Sequence, residues 1–180
     1  MSEEVNELHE HAEHAKHDPS LAPVTLTMAI LAVLVAVASL MGHRAHTEEV
    51  LKQAQASDQW AYYQAKNIRR HADDVLASLL TVVPAKDAEA AEKTKEKYTA
   101  ESERYRDETK EIETKAREFE AERDAEQKKA NRFDLGEVLL EIALVVTSIT
   151  LLTGKKAFWL LGLISATAGL IAAGSGFFLG

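Results

Sequence analysis

LAPVTLTMAILAVLVAVASLMG, residues 21–42, contains no charged side chain. As a helix such a run is about 33 Å long, enough to cross the roughly 30 Å hydrocarbon core of a bilayer. Two further stretches repeat the pattern: Val138 to Gly154 holds one charged residue, Glu141, and Ala157 to Gly180 holds none. The formal net charge of -8 therefore describes a segregated chain, with most of its charge between the first two apolar runs. This predicts an all-α protein with three transmembrane helices, at residues 20–42, 135–154 and 157–180. Residues 1–19 form an acidic, histidine-rich tail, the opposite of the basic start of a cleavable signal, so the first run reads as a retained anchor. The chain has no cysteine, which excludes disulfides and thiolate metal sites.

The chain has only three prolines, Pro19, Pro23 and Pro84, and no proline or glycine from His43 to Val83 or from Ala85 to Leu135. Two uninterrupted helices are expected there, continuing directly from the first two spans, with a break near Pro84. The first arm has a stripe at Leu51, Ala54, Asp58, Ala61, Ala65, Ile68, Ala72, Val75, Leu79 and Val82, in alternating steps of three and four. Every member except Asp58 is apolar, the signature of a coiled-coil seam. The second arm offers a weaker seam of the same spacing, from Ala88 through Tyr98, Ser102, Tyr105, Thr109, Ile112, Ala116 and Phe119 to Phe133. Both arms return to one membrane face, so residues 43–134 are expected to form an antiparallel coiled-coil hairpin whose apolar seams meet. A parallel bundle shared between protomers is the alternative.

Small residues form ridges in the first span (Thr25, Ala29, Ala32, Ala36, Ser39) and in the third (Gly162, Ala166, Gly169, Ala173, Gly176). In lipid such ridges mark helix contacts, within one chain or between protomers. Lys155 and Lys156, in the tight turn between the last two spans, argue for the tail inside and the arms outside.

SDQWAYYQAK, residues 57–66, gathers Trp60, Tyr62, Tyr63 and Lys66 beside Asp58. Trp60 falls about 27 Å beyond the end of the first span if the helix is unbroken, too far for an interfacial aromatic belt. Asp58 holds a seam position and should meet a cation on the second arm, with Lys110, Lys115 and Arg117 the candidates. The stretch reads as the packing and register centre of the arms and as a place for another chain to bind.

Glu137 and Glu141 share a helix face with Asp134 and Ser148 at the entry to the second span. Carboxylates at that depth anchor the helix at the interface or, gathered from several protomers, line a cation or proton path. In the tail, His11, His14 and His17 lie on one helical side with Glu7, Glu10 and Glu13, a pattern suited to a transition metal or to pH sensing. It lacks the metalloprotease spacing, and no phosphate loop, nucleophile with a base, or nucleotide fingerprint is present. Basic residues are interleaved with acids, which argues against nucleic acid. No enzymatic activity and no cofactor are expected.

The histidine-rich tail, the GHRAH that follows the first span, ASDQWAYYQAKNI, and FDLGEVLLEIALVVTSITLLTGKKAFWL together resemble a bacterial family of membrane proteins, domain-of-unknown-function family 4337. The resemblance covers nearly the whole chain and implies a bacterial inner-membrane location, with no activity to carry over. The expected function is a non-enzymatic membrane scaffold, homo-oligomeric or docked on a larger membrane complex. A small oligomeric cation or proton channel using Glu137 and Glu141 is the first alternative, and metal or pH sensing by the tail the second.

Overall fold

The computed structural model describes residues 21–178. They form three α-helices and, among the described residues, no strand: α1 spans Ala22–Val82, α2 Ala88–Thr153 and α3 Lys156–Gly176. α1 and α2 run unbroken for 61 and 66 residues. Each is long and apolar enough in part to cross a membrane, as is the whole of α3.

Local chemistry explains the helix ends. Pro23 sits in the first turn of α1, where a missing N–H removes no intrahelical bond. α1 stops at Val82 because Pro84 cannot donate and disfavours helical backbone at the residue before it. Asp87 restarts the chain as an N-cap, its carboxylate accepting from the backbone of Glu89 at 3.1 Å and Ala90 at 3.0 Å. Gly154 closes α2 in the left-handed conformation (φ 68°), with its N–H 2.8 Å from the Thr150 carbonyl.

The described residues divide into two compact units, one comprising those up to Glu48 and from Ala125, the other Glu49–Asp124. In the first, α1, α2 and α3 pack around Leu31, Ala38, Leu140, Ala143 and Ala166. A second cluster joins Ala45, Ala130 and Phe133. The predicted α3 ridge is the contact face: Gly162, Ala166, Gly169 and Gly176 are buried. A Cβ on Gly136 of α2 would lie 2.6 Å from the Ala173 Cβ and 2.9 Å from the Gly169 carbonyl, so two backbones meet there with no room for a side chain. The predicted ridge of the first span is displaced by one residue. Ala29 and Ala36 are exposed, while Val24, Met28, Leu31 and Ala38 face the core.

In the second unit the contacts run in opposite directions along α1 and α2: Lys52 meets Glu122, Trp60 meets Glu120, Lys66 meets Glu108 and Asp74 meets Ser102. The seam expected on α2 is its inward face, with Ser102, Thr109, Ile112 and Ala116 buried. The seam expected on α1 is not. All ten of its positions are exposed, and α1 instead turns inward a face that includes Lys52, Ala56, Gln59, Tyr63, Lys66 and Arg70. The reason is the partner. The α2 seam is half polar and is flanked by Glu108, Glu120 and Glu122, which find cations and an indole N–H only on the polar side of α1.

Candidate interaction site

SDQWAYYQAK lies within α1 in the second unit, and its side chains divide between two faces. Trp60, Tyr63 and Lys66 point toward α2 and are partly buried. Trp60 Nε1 donates to Glu120 Oε1 at 2.9 Å. The Tyr63 ring stands edge-on to Trp60 with centroids 5.5 Å apart, and the Arg117 guanidinium lies 5.7 Å from the indole centroid. One helical turn on, Lys66 Nζ reaches Glu108 at 2.6 Å and sits 4.8 Å from the Tyr105 ring and 5.5 Å from that of Tyr62.

Geometry sets the charge states here. The hydrogen bond to Glu108 holds Lys66 protonated to higher pH than an ordinary lysine, against a smaller opposing effect of partial burial. The same bond to Lys66 holds the Glu108 carboxyl below the usual range, with Arg104 assisting at 3.4 Å. Arg117 is pushed further up by its hydrogen bond to Glu113. Trp60–Glu120 and Lys66–Glu108 thus give two charge-assisted hydrogen bonds 12 residues apart on α2, enough to fix one register.

Asp58 does not take part in this clamp. It is exposed on the outward stripe, and two of the cations expected to meet it bind neighbours on their own helix, Lys110 to Asp107 and Arg117 to Glu113. Register is carried by Trp60 and Lys66 instead. Their acceptors, Glu108 and Glu120, were not singled out from the sequence, although each stands next to a seam position, Thr109 and Phe119. Tyr62 is 49% exposed and borders the outward face.

That outward face is the second part of the site. Leu51, Ile68, Val75, Leu79 and Val82 are 49–80% exposed, with the alanines at 54, 61, 65 and 72 exposed between them. Toward its end the stripe lines an open groove of about 450 Å³ with His71, Asp74, Val75, Ser78, Leu79 and Val82. The inward face, by contrast, leaves Gln55 Oε1, Asn67 Oδ1 and Arg70 Nε buried without a hydrogen-bond partner.

In the first unit Asp134 contacts His46 Nε2 at 2.9 Å, Glu137 is partly exposed and Glu141 is exposed. The three therefore do not converge on an enclosed path within one chain. Among the described residues no group of three or more histidine or acidic side chains is placed to hold a metal ion. His11, His14 and His17 lie outside the described residues.

No curated protein and no solved structure matches the chain. A family model does, over residues 20–179, a range that holds all three helices and the Trp60–Lys66 clamp. The chain belongs to that family, described as a domain of unknown function (DUF4337).

Proposed function

We propose that this protein is a non-enzymatic scaffold of the bacterial inner membrane. Three transmembrane helices anchor it, and residues 43–134 form an antiparallel coiled-coil hairpin stalk with its tip near Pro84. The N-terminal tail is cytoplasmic and the stalk lies outside. Support for the anchor comes from three helices of sufficient length and apolarity. Support for the hairpin comes from cross-helix pairs whose numbers rise on one helix as they fall on the other.

The observation that carries the scaffold reading is the exposed stripe from Leu51 to Val82. An apolar stripe of this size on a charged unit marks a protein contact. Covering one leucine or isoleucine side chain contributes about 1.5–3 kcal/mol. The polar clamp fixes the hairpin and leaves the hydrophobic face free for assembly. Gentle detergent solubilisation followed by mass measurement tests this: a complex heavier than one chain is expected, and a clean monomer without companions ends the reading.

Glu141, exposed on the apolar part of α2, favours a second reading in which several copies shield it around a common axis as a cation or proton path. Purified protein in liposomes should then conduct, and Glu141→Gln should lower the flux; wild-type liposomes that do not conduct would dismiss it.

A further inference from the structure

We infer that the occupant of the outward stripe is the same stripe of a second copy, packed parallel and in register about a two-fold axis. This rests on the scaffold reading and names its partner. The stripe keeps strict steps of three and four from Leu51 to Val82, a length of about 48 Å. Such a 3.5-residue repeat is followed along its whole length only by another helix that supercoils with it. Within this chain the α2 arm is no candidate, because its seam is already taken by the inward face of α1 and the rest of that arm is densely charged. The stripe itself is what remains to match it.

Electrostatics points the same way. Of the ten positions flanking the stripe, only Arg69 carries a fixed charge and only His71 is otherwise basic. Flanks so neutral have no field with which to select a strongly acidic or basic partner, and they do not repel the flanks of a second copy. In a parallel pair, flanking residues five apart meet across the axis. Gln64 then faces Arg69 of the partner subunit and Ser57 faces Tyr62 of the partner subunit, with no like charges opposed. Parallel orientation follows from the anchor, since copies inserted alike in one bilayer present α1 in the same direction. Confinement to the membrane also raises their effective concentration. Ala61, Ala65 and Ala72 let the two backbones approach closely in the middle of the stripe.

One layer opposes the pairing. Asp58 falls on the axis facing Asp58 of the partner subunit, a like-charge contact that weakens the dimer. The association is therefore expected to be reversible and to tighten when that charge is removed.

Because the chain has no cysteine, single substitutions report directly. Ala61→Cys, Ala65→Cys and Ala72→Cys, oxidised in intact membranes of the full-length protein, should each give disulfide-linked dimers. Ala100→Cys on the exposed side of α2 and Ala56→Cys on the inward face of α1 should not. Asp58→Asn should raise the dimer fraction of the uncross-linked protein by about two- to fivefold. Equal cross-linking at Ala65 and Ala100, or a decrease on Asp58→Asn, overturns the self-pairing. If the stripe cysteines instead trap a different polypeptide, self-pairing falls and the scaffold reading stands; a solubilised monomer with no companion removes both.

Discussion

The two units expose apolar side chains for different reasons. In the unit that includes α3, Leu26, Val33, Leu160 and Ile171 are exposed on helices that are apolar around most of their circumference, while Val24, Met28 and Leu31 face the core. A helix apolar on all sides is at home in lipid, so those residues need no protein partner. In the unit formed by Glu49–Asp124 the exposure is one-sided. Lys52, Lys66 and Arg70 face inward while Ile68, Val75 and Leu79 face outward. Lipid does not explain a single apolar stripe on an arm as charged as this one, and the proposed assembly would cover it. Exposed hydrophobic area thus acquires meaning only from what surrounds it on the same helix.

The contrast can be broken at several points. The largest effect is expected at the close contact of α2 and α3. Gly136→Leu forces a side chain into the Ala173 Cβ and the Gly169 carbonyl and should cost at least about 1–3 kcal/mol, read as a lower unfolding temperature in detergent. Next comes the stripe. The double change Ile68→Asp with Val75→Asp should abolish assembly while leaving helix content, by circular dichroism, unchanged; lost helicity would mean that the outward face is structural after all. Third, Trp60→Phe keeps the ring and deletes the donor to Glu120, which should weaken the arm by about 1 kcal/mol and speed limited proteolysis within Glu49–Asp124.

The smallest effect is the pH dependence of Lys66–Glu108. Glu108 has a lowered folded pKa, so its contribution is complete above the ordinary carboxylate range and fades as pH falls through it. Lys66 has a raised folded pKa, so its contribution is complete below the ordinary lysine range and fades as pH rises beyond it. Resistance of the arm to proteolysis should therefore be flat across neutral pH and decline at both extremes. Lys66→Met should flatten the decline attributable to this pair, and an unchanged profile would assign it to other groups.

Much of this architecture was legible from residue patterns. Absent charge located the three apolar segments, Pro84 located the break, and small residues at steps of three and four located the α3 contact face. The α2 seam from Tyr98 to Phe119 was also readable, because Ile112 and Ala116 anchor it amid charge. What periodicity did not disclose was which face of α1 meets α2. A helix with one 3.5-residue stripe necessarily carries a second on its opposite side, and hydrophobicity alone points to Leu51 through Val82. The choice is made by pairwise chemistry: Lys52, Trp60 and Lys66 have donors that reach Glu122, Glu120 and Glu108, and Leu51 or Ile68 offers those carboxylates nothing. Asp58 shares the fate of its stripe: it is exposed on the outward face and, among the described residues, meets no cation of α2 there.

The turn between α1 and α2 closes on local bonds: the Val83 N–H reaches the Leu79 carbonyl at 2.9 Å, Asp87 caps α2 with its own side chain, and residues 83–87 are exposed throughout. A turn that needs nothing beyond its own neighbours is indifferent to how much helix precedes and follows it. Arm length is then an adjustable quantity. One heptad added to or removed from both arms together preserves every face and changes the length of each by about 10 Å, so the pairing chemistry of Glu49–Asp124 tolerates length changes in quanta of seven residues.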